Sequence, residues 1–340
     1  MTIALTGLIC AAAMSGTAGA AQSGTLETVQ QRGEVLCGVQ PTVPGFSYID
    51  ENGTTKGFDV DICRAVSAAV FGTDQKVKYV PLSPQERFTA LQTGAIDILT
   101  MTTTWTFVRD ANMGLDFAGI SFYDGQGFMV RKDSGVNSVN DLDGAVICAD
   151  KGTTNELNLG DYFRSHQLKY QPLVFDKGDE TEKAYLAKRC DAYTHGIVGL
   201  SATLVKIGPA AAEHKILPEA ISKDPLGPAV RQNDSRWRDI VGWSLIAMQA
   251  AEEYGITSQN VAEMRKTSTN PEIRRFLGAD GELGSYLGIS NDWAYDIIRI
   301  VGNYAESFER NIGPKTPLAV PRGQNALWKD GGLIYPPPFR

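Results

Sequence analysis

The amino-acid sequence predicts an α/β protein with two lobes. Its 340 residues are enough for two domains of about 150 residues each. Predicted strands and helices alternate over residues 34–99, and the same alternation returns over residues 145–207. Because such alternation is typical of a parallel or mixed sheet covered by helices, two units of this kind predict two α/β lobes.

The elements of the first unit follow from apolar spacing and from residues that start or end helices. Phe58, Ile62 and Ala65 share one face of a helix that is predicted to end at Gly72. The capping box Ser83-Pro84-Gln85-Glu86 places proline at the first position of the next helix. In order, the unit consists of a strand at 35–39, a hairpin around Asn52-Gly53, a helix at 58–71, a strand at 77–80, a helix ending at Gly94 and a strand at 96–99.

The second unit repeats this order with its own cap, since Thr153 or Thr154 is predicted to start its first helix. A strand at 216–222 is predicted to return the chain to the first lobe. The unit consists of strands at 145–149, 173–175 and 190–194 and helices at 154–164, 179–188 and 197–207.

The C-terminal third predicts a helical extension and a tail. Helices are expected over 237–254, within 260–276 and within 292–310. Residues 313–340 are rich in proline and glycine, and we expect them to wrap over a lobe because several side chains are too apolar for a solvated segment. These side chains are Leu327, Trp328, Leu333, Ile334 and Tyr335.

Composition excludes several classes of protein. The chain has 32 Lys and Arg against 39 Asp and Glu, a formal net charge of −7, and its basic residues are scattered. Nucleic acid is therefore not an expected partner. An apolar content of 43% excludes a disordered chain. After the first 20 or so residues no run approaches the ~18 apolar residues that cross a bilayer, so we expect a soluble mature protein.

Residues 1–21 are predicted to be an export signal. An apolar core at 3–14 is followed by small residues that end in Ala18-Gly19-Ala20-Ala21. No Lys or Arg precedes the core, which leaves an atypical leader, a start upstream of Met1 or an ordinary buried helix as alternatives. Cys10 lacks the residues that precede a lipidated cysteine, so a lipid anchor is not expected.

Cleavage near Ala20 leaves four cysteines, an even number that suits disulfides in an oxidising compartment. Of the three possible pairings, the two-lobe organisation favours Cys37 with Cys63 and Cys148 with Cys190, one bridge in each lobe. Four buried thiols are the alternative. Zinc is less favoured, because no C-x-x-C is present and the chain has only 3 histidines. No metal site is predicted.

Motifs for nucleotide binding and for serine or zinc hydrolysis are absent, and two polar clusters remain. The first cluster follows a buried strand and contains Thr102, Thr104, Trp105 and Arg109. The planar guanidinium group of Arg109 suits a carboxylate. The second is Gly152-Thr153-Thr154 at the start of a helix, where free N–H groups favour an anion. Together they predict one small acidic ligand held between two lobes.

The sequence resembles the periplasmic amino-acid-binding proteins of ABC importers, in particular the receptors of general L-amino-acid transporters. The resemblance covers nearly all of the mature chain, and its motifs are specific only in combination. They are Gly57-Phe58-Asp59-Val60-Asp61, Arg87-Phe88-Thr89-Ala90-Leu91, Gly94-Ala95-Ile96-Asp97, Thr106-x-x-Arg109, Asp116-Phe117, Tyr123-Asp124-Gly125-Gln126-Gly127-Phe128, Gly152-Thr153-Thr154, Ser222-Lys223-Asp224-Pro225-Leu226-Gly227-Pro228, Gly302-Asn303-Tyr304 and Arg322-Gly323-Gln324-Asn325.

The resemblance implies the type II periplasmic binding protein fold, in which two lobes joined by two hinge strands close around a ligand. Arg109 is then expected to bind the ligand's α-carboxylate with help from Thr104 and the N-terminus at Thr154. Thr102 would meet the ammonium group, and Phe46 would contribute to the wall. The implied lobes are 22–124 with 224–340, which includes the C-terminal extension, and 125–223.

One position departs from the family pattern. The third strand of the second lobe normally ends in an aspartate that receives the ligand's ammonium group, and here His195 and Gly196 stand at that end. Either Asp224 or another acid takes over this role, or the ligand lacks a free ammonium group. On the account that a carboxylate is missing, Gly196→Asp is predicted to raise the affinity for ordinary L-amino acids.

The sequence therefore predicts a monomeric periplasmic receptor that captures an amino acid or a related carboxylate, needs no cofactor and delivers its ligand to an inner-membrane ABC permease. The alternative is an enzyme on the same scaffold, similar to cyclohexadienyl dehydratase, with His195, Glu156 and Lys151 as candidate acid–base groups. A receptor that only signals is a third possibility that the sequence does not separate from transport.

Overall fold

The computed structural model describes residues 24–340, and the predicted export signal at 1–21 lies outside this range. Within it, no helix combines the length and the apolar character that crossing a membrane requires.

The strands follow the predicted alternation closely, although most are short. They are β1 Val35–Val39, β2 Thr42–Val43, β3 Ser47–Ile49, β4 Thr55–Lys56, β5 Val77–Pro81, β6 Ile98–Leu99, β7 Leu115–Phe117, β8 Phe122–Asp124, β9 Gln126–Arg131, β10 Ala145–Asp150, β11 Tyr170–Phe175, β12 Ala192–Gly196, β13 His214–Ile216, β14 Asp224–Leu226 and β15 Ala229–Arg231.

The α-helices cover the sheets and form the C-terminal extension. They are α1 Thr25–Arg32, α2 Phe58–Phe71, α3 Arg87–Gln92, α4 Phe107–Asn112, α5 Thr154–Ser165, α6 Gly178–Leu186, α7 Ile197–Ile207, α8 Ser235–Glu253, α9 Val261–Thr267, α10 Pro271–Phe276, α11 Leu283–Leu287, α12 Trp293–Ile300 and α13 Tyr304–Asn311.

Two five-stranded sheets with equivalent strand orders form the two lobes. The sheet of lobe 1 has the order β5-β1-β6-β15-β7, and that of lobe 2 has the order β11-β10-β12-β9-β13. In each sheet the first three strands are parallel and the fourth runs antiparallel to its neighbours. The antiparallel strand is β15 in lobe 1 and β9 in lobe 2, which are the first strands of their sheets after each crossing between lobes. The structure thus confirms the type II two-lobed fold.

Two short strands outside the main sheets connect the lobes. β8 and β14 pair antiparallel, with Asp124 directly opposite Asp224. The predicted return strand at 216–222 is wrong in position, because β13 ends at Ile216 inside the lobe 2 sheet and the crossing strand is β14. The lobe boundaries 22–124, 125–223 and 224–340 stay a prediction, which the location of this strand pair supports.

Helix ends show where local sequence signals succeed. At the predicted capping box, the Glu86 carboxylate accepts hydrogen bonds from the N–H and hydroxyl of Ser83, at 3.0 and 2.7 Å. The α-helix starts at Arg87 rather than at Pro84. The predicted helical segments 260–276 and 292–310 each contain two helices. One is interrupted between α9 and α10, and the other at Gly302, whose φ of +97° is incompatible with a continuing helix.

The cysteine pairing is as predicted, with one disulfide in each lobe. Cys37 on β1 is bonded to Cys63 on α2, and Cys148 on β10 is bonded to Cys190 just before β12. Both bridges are buried, so each fixes a helix or loop to the middle one of the three parallel strands in its sheet.

The tail covers lobe 1 with fewer side chains than predicted. Leu327 and Ile334 are buried as expected, and Phe339 packs against Phe276 with ring centroids 4.8 Å apart. The burial prediction is wrong for Trp328, Leu333 and Tyr335, which are 49%, 51% and 71% exposed. The tail is anchored through Asn325, whose amide bonds both the N–H and the C=O of Tyr123 in β8, at 2.7 and 3.1 Å.

Candidate functional site

A cavity lies between the two lobes and beside the hinge strands; we call it the interlobe cavity. The polar side chains that line it are Gln40, Arg87, Thr102, Thr104, Arg109, Asp124, Asp150, Thr153, Thr154, Asn155, His195 and Asp224. Its floor is thus made by the carboxyl ends of strands from both sheets, where ligands bind in open α/β sheets.

Arg109 is fixed at the start of α4. The Thr106 hydroxyl accepts from the Arg109 backbone N–H at 3.3 Å, and one guanidinium nitrogen, Nη1, donates to the Thr104 carbonyl at 2.8 Å. The group is only 6% exposed. Burial lowers the pKa of Arg109 to about 10, an effect that nearby Asp224 opposes. The group therefore remains a cation at neutral pH, with N–H donors left for an anion in the cavity.

The threonines of the two polar clusters meet across the cavity. The Thr104 hydroxyl of lobe 1 lies 3.3 Å from the Thr154 hydroxyl of lobe 2. Thr153 caps α5 by accepting from the Glu156 N–H at 3.4 Å, and Thr154 and Asn155 of the first helical turn line the cavity. Gly152 does not line the cavity, and its N–H donates to the Glu156 carboxylate at 2.9 Å.

Thr102 lines the cavity in an unusual conformation. Its φ is +41°, in the left-handed region that residues other than glycine seldom adopt. Its N–H donates to the Asp59 carboxylate at 2.8 Å, which holds the loop in place. Burial raises the pKa of Asp59 to about 7, and this hydrogen bond opposes the rise.

Two residues predicted to line the site lie elsewhere. Phe46 is buried in the core of lobe 1, with its ring centroid 5.4 Å from that of Phe122, and Val43 lines the cavity instead. Trp105 stacks on Phe117 at 5.4 Å and faces a groove outside the cavity. Both aromatic side chains follow the apolar packing of lobe 1.

Gly196 lines the cavity at the end of β12, and Asp124 occupies the space that a side chain there would need. A Cβ atom at position 196 would lie 2.5 Å from the Asp124 carboxylate. Asp124 therefore brings a carboxylate to the point where the family pattern led us to expect one from residue 196. Backbone N–H groups of Ile197 and Val198, at the start of α7, favour its charged form.

Asp224 lies opposite Asp124 in the hinge and completes a pair of acids. Its carboxylate accepts from the Ser222 hydroxyl at 3.0 Å. Burial raises the pKa of Asp124 to about 7, and the charge of Asp224 adds to the rise. Burial also raises the pKa of Asp224, against the effect of His195 and Arg109. Both acids thus lack a full counter-charge of their own.

A second guanidinium group, that of Arg87, lines the cavity from the start of α3. Its carbon Cζ and that of Arg109 lie 4.7 and 5.0 Å from the centroid of the Phe88 ring, so both cations use the same aromatic surface. Lobe 1 therefore presents two cations to the interlobe cavity.

Lobe 2 contributes Asp150 and His195 to the cavity. The Asp150 carboxylate accepts a hydrogen bond from the Thr181 hydroxyl, and its other oxygen lies 3.6 Å from His195 Nε2. Burial raises the pKa of Asp150, whereas His195 opposes the rise. The His195 ring packs directly on Gly199, where any larger side chain would displace it.

The remaining residues of the enzyme alternative lie outside the cavity. Lys151 is exposed and pairs with Asp176 at 3.3 Å, and Glu156 accepts from the Gly152 N–H. Neither side chain lines the interlobe cavity. Within residues 24–340, no three His, Cys, Asp or Glu side chains are grouped as a metal site.

Comparison with known proteins identifies the family. The model of the bacterial extracellular solute-binding proteins, family 3, matches residues 35–260, which include both sheets and all the cavity residues described above. The chain belongs to this family.

Two relatives of this family-3 protein match it over nearly their full length. The general L-amino acid-binding periplasmic protein AapJ of Rhizobium johnstonii is 52% identical over 339 residues, which cover 99% of this chain and 98% of the relative. The glutamate/glutamine/aspartate/asparagine-binding protein BztA of Rhodobacter capsulatus is 50% identical over 323 residues, which cover 95% of both proteins.

A solved structure agrees with both the sequence match and the fold. The ABC transporter periplasmic binding protein from Brucella ovis with glutathione bound superposes with a TM-score of 0.91 and is 50% identical. The match covers 94% of this chain and 100% of the other. The family-3 chain therefore shares its whole architecture, including the C-terminal extension, with a solute-binding protein.

Sequence reasoning missed Arg87, Asp124 and Asp150 as residues of the cavity of this family-3 protein. Arg87 and Asp124 were visible only as members of family motifs, and Asp150 only as the residue that follows a predicted strand. Their position at the end of a strand or the start of a helix was the available signal, because such positions meet at the edge of a sheet.

Proposed function

We propose that this protein is a periplasmic receptor that binds a free L-α-amino acid in the interlobe cavity. The observation that carries the proposal is the placement of Arg109 beside the paired acids Asp124 and Asp224 in one buried cavity. A buried cation and buried anions around one cavity suit a ligand that carries both charges on groups bonded to the same carbon atom. An α-amino acid is the smallest molecule of that kind.

The carboxylate end of the ligand meets lobe 1 and the start of α5. Arg109 donates charge-assisted hydrogen bonds to the α-carboxylate, and the Thr104 hydroxyl and the Thr154 N–H complete its shell. Since the two threonine hydroxyls lie 3.3 Å apart, one carboxylate can contact both lobes. Thr102 and Thr153 shape the loop and the helix start that hold these donors.

The ammonium end meets the hinge. Asp124 and Asp224 take the place of the acid that position 196 lacks, and an ammonium group between them would satisfy two carboxylates whose pKa values burial raises. In the family pattern one acid of lobe 2 receives the ligand's ammonium group. Here two acids of the hinge would receive it instead. Gly196 is required because a side chain there would displace Asp124.

The relatives support this assignment in chemical class. AapJ is named for general L-amino acids and BztA for four amino acids, and the Brucella protein holds glutathione, which contains a free α-amino acid group. We further propose a periplasmic location and delivery of the ligand to an inner-membrane ABC permease. In this proposal the protein acts as a monomer, by binding without catalysis and with no cofactor.

Isothermal titration calorimetry on the mature protein tests the proposal. L-alanine is compared with its N-acetyl derivative, with its methyl ester and with propionate. We expect a 1:1 complex with L-alanine alone, because the three analogues each lack one of the two charges. Tight binding of N-acetylalanine or propionate, with none of alanine, would contradict the proposed role of the hinge acids.

The absence of catalysis is tested on the same ligands and on a cyclic carboxylic acid. Proton NMR spectra of each ligand are recorded before and after prolonged incubation with the protein. Unchanged ligand at full recovery is expected for a receptor. Turnover of a cyclic carboxylic acid, such as an arogenate or prephenate analogue, would favour the enzyme alternative instead.

A further inference from the structure

The C-terminal tail contacts the hinge through the backbone of β8. The side-chain carbonyl of Asn325 accepts from the Tyr123 N–H at 2.7 Å, and its amide nitrogen donates to the Tyr123 carbonyl at 3.1 Å. Asn325 is 4% exposed, so bulk water has little access to this contact. Tyr123 directly precedes Asp124, one of the two acids to which the proposed function assigns the ammonium group.

The register of the hinge strands explains why β8 needs a partner from the tail. Tyr123 lies opposite Pro225 of β14, and proline has no N–H to donate. The Pro225 carbonyl accepts from the Trp105 N–H at 2.8 Å, on the outer side of β14. Both backbone groups of Tyr123 likewise point outward, to Asn325, as in an antiparallel pair whose facing residues are not bonded to each other. Asn325 therefore takes the place of a neighbouring strand.

The loop that carries Asn325 is itself fixed to lobe 1. The guanidinium group of Arg322 donates to the Asn325 backbone carbonyl at 3.1 and 2.9 Å and to the Glu252 carboxylate of α8 at 2.9 Å. Its carbon Cζ lies 4.8 Å from the centroid of the Phe308 ring in α13. Through Asn325, the backbone of Tyr123 is thus held by the helices of lobe 1.

A few residues further along the chain, Gln126 is held by lobe 2 instead. Its buried side-chain Nε2 donates to the Asn155 carbonyl and to the Thr194 hydroxyl, both at 2.9 Å. The first crossing of the chain from lobe 1 to lobe 2 therefore takes place within two residues, Asp124 and Gly125. A rotation of one lobe against the other must be taken up there.

We propose that Asn325 is a positioning residue of the hinge, which fixes Tyr123 to lobe 1 and so confines the bending of this crossing to Asp124 and Gly125. Closure of the lobes then turns the Asp124 carboxylate about a fixed point toward the ligand. The inference rests on the proposed function, because it presumes that Asp124 binds the ammonium group. It gives the C-terminal extension a part in amino-acid affinity although the extension does not contact the ligand.

The physical reason is preorganisation. If β8 could also bend before Tyr123, the Asp124 carboxylate would occupy many positions in the open protein, and binding would have to restrict them at a cost in free energy. The competent position would then be populated less often, and the apparent affinity would fall by the same factor. Loss of Asn325 should therefore weaken binding without removing any group that touches the ligand.

The first test needs no variant. Hydrogen exchange of backbone amides is followed by NMR on the unaltered mature protein, with and without L-alanine. We expect the Tyr123 amide to exchange equally slowly in both states, because its partner Asn325 belongs to the same lobe. The Gly125 amide should become more protected when L-alanine closes the hinge. A Tyr123 amide that exchanges at least about tenfold faster without ligand would overturn the inference.

The second test removes the contact. In Asn325→Ala we expect the calorimetric affinity for L-alanine at pH 8 to fall at least about fivefold, since one net hydrogen bond is worth about that factor. The Tyr123 amide should exchange faster in this variant. Circular dichroism establishes that the variant is folded, and an unchanged affinity in the folded variant would overturn the inference.

Asn303 offers a matched control in the same extension. It is also 4% exposed, and its side chain accepts from the Glu306 N–H and donates to the Ile256 carbonyl, both at 2.8 Å. These two partners lie outside the hinge strands. Asn303→Ala should lower the melting temperature and keep the affinity within about twofold of the parent. An equal loss of affinity in both asparagine variants would show a general structural effect and overturn the positioning role.

A double-mutant cycle tests whether Asn325 acts through Asp124. In an Asp124→Asn background, Asn325→Ala should weaken binding less than it does in the parent, because the carboxylate that it positions is gone. NMR titration with L-alanine measures the weaker affinities. The same fold-loss in both backgrounds would mean that the two residues act independently, and it would overturn the inference.

The experiments separate this inference from the proposed function. Binding of L-alanine that Asn325→Ala leaves unchanged would remove the positioning role and keep the proposed function. Failure of the unaltered protein to bind any free amino acid would contradict the proposed function itself.

Discussion

Lobe 1 and lobe 2 contain sheets of equivalent strand order, yet they bring opposite charges to the interlobe cavity. Lobe 1 contributes the guanidinium groups of Arg87 and Arg109, whereas lobe 2 contributes Asp150, and the hinge adds Asp124 and Asp224. A ligand with separated charges must therefore contact both sides at once. The difference teaches that two lobes of one architecture can hold a ligand from both sides when the residues at their strand ends carry charges of opposite sign.

The comparison extends to covalent structure, where the lobes are alike. Each has one buried disulfide on the central strand of its parallel set, with a sequence separation of 26 in lobe 1 and 42 in lobe 2. The lobes therefore differ in the charge of their cavity residues but not in strand order or in the number of disulfides. Stability and binding should therefore respond to different substitutions in each lobe.

Removing a disulfide should have the largest effect, and it should be similar in both lobes. Replacing Cys37 and Cys63 together by alanine, or Cys148 and Cys190, is expected to lower the free energy of unfolding by about 3–4 kcal/mol, because the unfolded chain gains freedom. The lobe 2 loss should be slightly larger, since its loop is longer. Urea unfolding measures both, and reductant applied to each variant should then remove only the remaining bridge. Two variants as stable as the parent would refute a stabilising role.

Arg109→Ala should break the charge asymmetry from the lobe 1 side. Affinity for L-alanine is expected to fall at least about a hundredfold, since each charged hydrogen bond is worth about 1.5–3 kcal/mol. The ligand-free melting temperature should change little, because the buried guanidinium is incompletely paired. Calorimetry and thermal melting check the two expectations, with the exposed Arg164→Ala as control. A large loss of stability in Arg109→Ala would make the residue structural instead.

Gly196→Asp tests whether lobe 2 tolerates an acid of its own. The position of Asp124 reverses the affinity gain that the sequence alone predicted, because the new Cβ would lie 2.5 Å from its carboxylate. We expect affinity for L-alanine to fall about tenfold or more, as two like charges compete for one place.

The double variant with Asp124→Ala should recover part of the loss, since it relieves both crowding and repulsion. Gly196→Ala measures the steric part of the affinity loss, because it adds a side chain without a charge. A gain in affinity for Gly196→Asp alone would show that the space is free.

The pH dependence of binding originates in the hinge. With a folded-state pKa of about 7, raised by burial from its ordinary value, Asp124 is increasingly protonated as the pH falls below 7. Binding an ammonium group requires the charged form, so affinity should weaken by up to about tenfold per pH unit below the pKa. Calorimetry at pH 5.5 and 8, in buffers of different ionisation enthalpy, should detect proton release on binding at the lower pH. Asp124→Asn should flatten the profile, and a flat profile in the unaltered protein would contradict the assignment.

The same raised pKa has an opposite consequence for the ligand-free protein. A carboxyl group that binds its proton more tightly when folded contributes stability that is complete below its ordinary pKa and is lost progressively as the pH rises to its folded pKa. For Asp124 and Asp59 the window lies between their ordinary pKa and about 7. Ligand-free protein should therefore melt at a lower temperature at pH 8 than at pH 6 by this contribution, and bound amino acid should reduce the difference.

Local patterns in the sequence determined much of the fold and part of the site. The apolar spacing of residues 58–71, the Ser83–Glu86 capping box and the Thr153 cap each act over a few residues, so they could be predicted without tertiary information. The disulfide pairing followed from assigning two cysteines to each lobe. Arg109 could be predicted from local sequence, because its helix start and its neighbouring threonines are adjacent in the chain.

The tertiary structure decided which distant residues meet. Asp124 faces Asp224 only because β8 and β14 pair in one register, and it fills the place beside Gly196 only because α7 begins there. Arg87 and Asp150 line one cavity from two lobes whose mutual position no local pattern encodes. Phe46 joined the core of lobe 1, since apolar packing outweighed its position near the cavity. The sequence by itself thus determined most of the elements, the covalent pairs and the position of Arg109 beside a helix start, because these depend mainly on neighbours in the chain. Only the tertiary structure decided where the balancing charges lie, because their positions depend on strand register and on the packing of one lobe against the other.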